Sequence, residues 1–160
     1  MFTGDIVIKG KHADYARFLW RSQNDSRQNI ADVFQELMDL YMVAPIIGVQ
    51  NGLKSPEDNS TKTLVRMFSD KVNKEQLKLK LIYRLVMLCD NSAKLSDDEK
   101  ISRAFKEDDN EENMKIFNSY VRGGIEWLYE EFTEGANTKD EYIAKINEIV
   151  SDYKDEFDIE

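Results

Sequence analysis

Apolar residues recur every three to four positions along most of the 160-residue chain. That spacing gives an amphipathic helix one greasy face. A first helix is predicted over 13–23, with Ala13, Ala16, Leu19 and Trp20 aligned. Polar residues over 24–29 read as a loop. A second helix begins near Ile30 and carries Val33, Phe34, Leu37, Leu40, Tyr41 and Ala44 on one stripe. Pro45 has no N–H and its ring crowds the carbonyl four residues back, so this helix is expected to kink or stop there. Gly48 and Gly52 mark its exit, and 50–61 reads as an exposed loop rich in Asn, Ser, Gly and Pro.

A third helix is expected over 62–71, with Leu64, Val65 and Phe68 inward. Asn73 and Gln76 are spaced to cap a fourth helix. Its inward stripe is Leu77, Leu81, Ile82, Leu85, Val86 and Cys89. Ser96-Asp97-Asp98-Glu99 is a capping box opening a short helix with Ile101, Ala104 and Phe105. An acidic connector follows over 107–112. The next helix carries Met114, Phe117, Tyr120, Val121, Leu128 and Phe132. Gly123 and Gly124 lie inside it, and each costs about 1 kcal/mol relative to Ala. Such a pair implies a kink or a close helix crossing. Thr138-Lys139-Asp140-Glu141 is a further capping box, starting a last helix with Tyr142, Ile143, Ile146, Ile149, Val150, Tyr153 and Phe157. Near the start, Asp5-Ile6-Val7-Ile8-Lys9 is β-branched and reads as a short strand or an extended arm over 1–10. The pattern predicts an all-α fold, an irregular bundle of six to seven helices in one domain spanning 1–160.

Composition narrows the class. The chain is 41% hydrophobic and 11% aromatic, enough for a packed core despite 33% charge. Its net charge is −9, unevenly placed: residues 1–90 carry 13 Lys/Arg against 11 Asp/Glu, and residues 91–160 carry 9 against 20. That balance disfavours non-specific nucleic-acid binding, which needs clustered cations, and suits a basic partner. The longest apolar run, 40–49, is half the ~20 residues a membrane span requires, and no basic-then-apolar leader opens the chain. A cytoplasmic location without membrane contact is expected.

The chemistry-bearing residues are few. Cys89 is the lone cysteine, so a disulfide or Cys-based zinc site is excluded; it reads as a small buried hydrophobe. His12 is the lone histidine and reads as a surface or capping residue. A bundle-type di-iron site wants two histidines. Asp108, Asn110 and Glu112 begin like a calcium loop, but Asn113 stands at the sixth position and Ser119 at the twelfth, where Gly and Glu are needed. No Gly-Lys-Ser/Thr follows the glycines to cradle phosphate. No catalytic, cofactor-binding or metal-ligating residue is therefore assigned, and no cofactor is expected. Lys62, Lys71, Lys74, Lys78, Lys80 and Arg84 form one modest basic surface, and Arg17, Arg21 and Arg27 another; both read mainly as solubilising charge.

Two features remain for a partner surface. Glu126, Glu130 and Glu134 share one helix face at i, i+4 spacing and read as a solvated acidic stripe. The segment 34–54 places Phe34, Asp39, Ala44, Pro45, Gly48, Gly52 and Lys54 along a buried helix feeding an exposed loop. This segment resembles small helical proteins associated with bacterial DNA phosphorothioation and phage-defence clusters. The resemblance implies an accessory role beside DNA-acting enzymes, with no catalytic residues to carry over. The leading expectation is a non-enzymatic helical subunit or adaptor that binds another protein or itself. The alternative is a nucleic-acid-directed protein, either an acidic decoy of the phosphate backbone or a weak DNA binder through the basic first half. A third reading, an enzyme, requires a deep pocket with a carboxylate of raised pKa, or His12 beside an acid.

Overall fold

The computed structural model describes residues 2–20, 33–106 and 110–156. Among them, seven helices and one two-stranded antiparallel sheet follow in the order β1 (Ile6–Lys9), α1 (Gly10–Leu19), α2 (Leu37–Gln50), β2 (Leu64–Met67), α3 (Ser69–Lys74), α4 (Gln76–Cys89), α5 (Asp97–Phe105), α6 (Glu111–Thr133) and α7 (Lys139–Glu156). The fold is mostly helical, as the periodicity predicts.

The helices α2 and α6 form the central pair. Gly48 of α2 meets the Tyr120 carbonyl, and Gly124 of α6 meets the Ala44 carbonyl, so closely that any Cβ there would overlap backbone. Gly123 is pressed in the same way against the Leu53 carbonyl. The paired glycines thus mark a close crossing, one of the two outcomes their position implies. Tyr41, Leu40, Ala44, Phe117, Val121 and Ile125 fill the dry space around it. Pro45 does not stop the helix: α2 runs through it to Gln50. The ~3 kcal/mol cost of an interior proline is outweighed by an apolar element buried on α6, including Pro45 itself.

Several expectations need correction. The segment read as a third helix is β2 followed by the short α3. Leu64 and Val65 alternate outward and inward in the strand pattern. β2 supplies the partner that the N-terminal segment lacked on paper, with Ile6 opposite Met67 and Ile8 opposite Val65. The turn from β1 into α1 needs Gly10, whose φ is +63° and whose missing Cβ makes room for Asp58. Phe2 is buried, edge-to-face with Tyr83 at 6.3 Å and Phe117 at 5.7 Å, which anchors the N-terminal arm. The second helix starts at Leu37 rather than near Ile30; Phe34 instead forms an isolated bridge to Trp20. Ile30, Arg21, Arg27, the 24–29 loop, Asp108 and Phe157 lie outside the described residues.

The capping boxes fare unequally. Ser96 and Glu99 exchange both hydrogen bonds at the start of α5. Thr138 and Glu141 do so before α7. Asn73 caps nothing: α3 continues through it and Glu75 precedes α4. Asn110, read against a calcium loop, caps α6 by accepting from the amides of Glu112 and Asn113.

The face of α4 is rotated: Val86 of the expected stripe is buried and Ile82 half-buried, but its other members turn outward. Its buried residues are Leu79, Tyr83, Val86 and Met87. Leu77 is 82% exposed, Leu81 58% and Leu85 46%, and Cys89 is exposed rather than buried. The helix carries two apolar stripes, and α2, α5 and α6 cover the buried one.

Candidate functional site

The polar residues that could do chemistry gather in two buried clusters. The first joins α1, the loop after α2, and α6. His12 is fully buried, which corrects its reading as a surface residue. Its Nε2 lies 2.9 Å from Glu126 Oε1 and 3.2 Å from Ser55 Oγ. Ser55 Oγ donates to the same Glu126 oxygen at 2.8 Å, and Lys11 Nζ pairs with it at 2.6 Å. Arg122 Nε donates to the Ser55 carbonyl at 2.9 Å. Glu126 is therefore no part of a solvated stripe with Glu130 and Glu134, which stay exposed.

The protonation pattern follows from the geometry. Burial pushes the Glu126 carboxyl upward, but hydrogen bonds from Lys11, Ser55 and His12 outweigh it and hold the group below the ordinary range. An ionised carboxylate only accepts, so His12 Nε2 carries the hydrogen. Nδ1 is then the bare nitrogen, and it has no partner among the described residues. Burial lowers the His12 pKa, against the pull of Glu126, so the ring is neutral at pH 7. This is not a nucleophile triad. A histidine that activates a serine must offer it a bare nitrogen; here the nitrogen facing Ser55 is the protonated one, and the serine proton is spent on Glu126. The cluster ties three segments together.

A depressed histidine pKa binds fewer protons in the folded state than in the unfolded one. Stability is therefore full above the unfolded value near 6.5 and falls as pH drops through it. The unfolding free energy from urea titrations is expected to decline from pH 7 to pH 5, with a slope of up to about 1.4 kcal/mol per pH unit. His12→Gln, which keeps a donor toward Glu126, should flatten that decline.

The second cluster centres on Asp90, fully buried at the end of α4. Tyr120 Oη donates to its Oδ1 at 2.7 Å, Arg103 of α5 to its Oδ2 at 2.8 Å, and the Ser92 amide to Oδ1 at 3.0 Å. Lys54 Nζ lies 3.3 Å from Oδ1 and 4.7 Å above the Tyr120 ring. Burial pushes the carboxyl up, and the bonds from Ser92, Tyr120 and Arg103 more than reverse it, leaving Asp90 far below the carboxylate range. Both carboxylate oxygens of Asp90 are thus matched by this chain's own groups, while Arg103 Nε is buried without a hydrogen-bond partner among the described residues.

Of the remaining candidates for a partner surface, Pro45 and Gly48 are buried in the α2–α6 crossing. Asp39 and Gly52 are exposed. Lys54 is held by Asp90 and by Ser92 Oγ at 2.6 Å. Lys71 and Lys78 of the basic surface pair with Glu36 and Glu75. Among the described residues no group of three His, Cys, Asp or Glu side chains is arranged to hold a metal, and no helix is long and apolar enough to cross a membrane.

The feature that the sequence reading turned inward is the outward stripe of α4. Leu77, Leu81, Leu85 and Cys89 follow one another at i, i+4 spacing on one face. On α5, Ile101 and Phe105 are each about half exposed, and Arg84 lies 4.9 Å over the Phe105 ring. The result is an apolar strip rimmed by Lys74, Lys78 and Arg84. Exposed apolar residues placed singly need no explanation, whereas several in line on one helix face make this strip the candidate interaction surface.

A family described as DNA sulphur modification system-associated protein 4 matches residues 13–160. No curated protein and no solved structure matches the chain.

Proposed function

The chain belongs to the DNA sulphur modification system-associated protein 4 family, and from that premise we propose that it serves the system as a non-catalytic subunit that docks another of its proteins through the outward face of α4. The family match extends the resemblance seen over 34–54 to most of the chain and ties the protein to DNA sulphur modification. The observation that carries the docking role is the strip itself: Leu77, Leu81 and Leu85 in line and open to solvent. Covering a leucine is worth roughly 1.5–3 kcal/mol when complete, so three on one face supply enough to hold a partner helix in register. The cationic rim selects a partner face with an apolar centre and acidic edges. The inward use of His12, Ser55, Glu126 and Asp90 leaves no activated nucleophile among the described residues, which supports a structural role.

The test is co-expression with each of the other components of the system, followed by measurement of the mass of the purified species. A defined complex is expected with one component. Leu77→Glu with Leu81→Glu should abolish it while changing folding stability by no more than about 0.5 kcal/mol, as exposed substitutions do. A strict monomer beside every component, or a complex indifferent to both glutamates, contradicts the proposal. Salt-sensitive DNA binding by the isolated chain would favour the nucleic-acid reading instead.

A further inference from the structure

The N-terminal strand offers a second surface of a different kind, using none of the outward residues of α4. Among the described residues the sheet has two strands, so each has one edge with no neighbouring strand among them. The Gly10 amide donates to the Thr63 carbonyl at 3.0 Å, which makes that facing pair a hydrogen-bonded one. By the antiparallel alternation, Ile8–Val65 and Ile6–Met67 continue the ladder. The N–H groups of Val7 and Lys9 and the Val7 carbonyl then point the other way. None of them meets a partner among the described residues.

That open edge forms one wall of a cleft of about 540 Å³, which continues along Thr3 to Lys9 and is closed by the loop at Glu57–Asn59 and by α6. Its floor is fixed: Tyr41 is buried and donates to Asn118 Oδ1 at 2.9 Å, and Arg122 is held by the Ser55 carbonyl. Its rim is acidic. Asp5, Glu57, Asp58 and Glu111 line it with Lys9 and Arg122; Asp5 is paired with Arg66 and Asp58 accepts from Lys11 and Ser60, so the exposed Glu57 and Glu111 set the charge open to a partner. An exposed strand edge templates the addition of another strand. Neither proline nor a bulge blunts β1, whose sequence is Ile-Val-Ile-Lys.

We propose that the open edge of β1 takes up a third strand, an extended segment of a partner protein whose lysine or arginine side chains reach the acidic rim of the cleft. Main-chain bonds to Val7 and Lys9 would fix the register, and charge would select the segment. A nucleic-acid backbone is disfavoured by the same rim.

The probe is a fluorescently labelled peptide alternating lysine and valine, titrated into the full chain, with its glutamate–valine counterpart as the comparison. The lysine peptide is expected to bind and to shift the amide resonances of Val7 and Lys9; the glutamate peptide should bind at least about tenfold more weakly. Val7→Pro removes the outward N–H and leaves the Ile6–Met67 and Ile8–Val65 pairs, so binding should fall about tenfold. Glu57→Lys with Glu111→Lys should reverse the preference between the two peptides, and this pair decides the matter by itself if the proline variant does not fold. Equal binding of both peptides, resonance shifts confined to α4, or no binding of the lysine peptide overturns the proposal.

Discussion

Gly124→Ala is expected to destabilise the fold by about 3 kcal/mol or more, at the upper end of overpacking costs. The added methyl would overlap the carbonyl of Ala44 on α2. Both partners are helix backbone, so no rotamer change relieves the clash; the two helices must separate. Alanine gains about 1 kcal/mol of helix propensity over glycine, which the overlap more than cancels. A melting point lower by about 10 °C follows for a chain of this size. Gly4→Ala is the control: no atom lies within 4 Å of its Cβ position and its φ is ordinary, so its melting curve should barely move. Equal effects at the two positions would mean that the α2–α6 crossing is looser than described.

Asp90→Asn is the second large effect, expected to cost about 3–5 kcal/mol. The amide keeps the shape but removes the charge that faces Arg103 and Lys54, and Arg103 is only 12% exposed. An uncompensated buried cation is the expensive outcome. Arg103→Met in the same chain should recover part of the loss, and the coupling between the two substitutions measures their interaction. The acid response carries a second signature. The folded pKa of Asp90 is depressed, so its contribution is full above the unfolded value near 3.9 and is lost as pH falls through the folded value. Below pH 4 the asparagine variant should therefore lose less stability per pH unit than the parent. Denaturant midpoints of both proteins, taken from pH 5 to pH 2, check this.

What was legible in the sequence was local. The starts of α5 and α7 were visible because Ser96 with Glu99 and Thr138 with Glu141 close their caps within four residues. The stripe of α6 is legible, and its two glycines signal either a kink or a close crossing, between which the Ala44 and Leu53 carbonyls decide. The errors arose where the decisive partner is distant. Leu64 and Val65 fit a helix or a strand equally over so short a run, and β1, some 60 residues away, settles it. Pro45 breaks an isolated helix; in this fold α6 holds both of its sides. On α4 the sequence offers two apolar stripes and cannot say which one the core takes.

The polar clusters were illegible for the same reason. His12 and Glu126 stand 114 residues apart, and no spacing rule joins them. A weak signal existed: His12 falls in line with Ala16 and Leu19 at i, i+4, i+7, all three buried, so the histidine shares the inward face of α1. Ser55 sits in a loop read as exposed and is buried. Lys54 and Asp39 stand out only through the family resemblance, and Lys54 is an internal partner of Asp90.

The central claim, docking through the outward stripe of α4, is most directly tested at Cys89. It is the only cysteine in the chain, it is exposed, and it continues the line of Leu77, Leu81 and Leu85. The measurement is its alkylation rate in the free chain and in the complex with whichever component of the system co-purifies. The account predicts ready reaction in the free chain and strong protection in the complex. A complex in which Cys89 reacts as fast as in the free chain would contradict it.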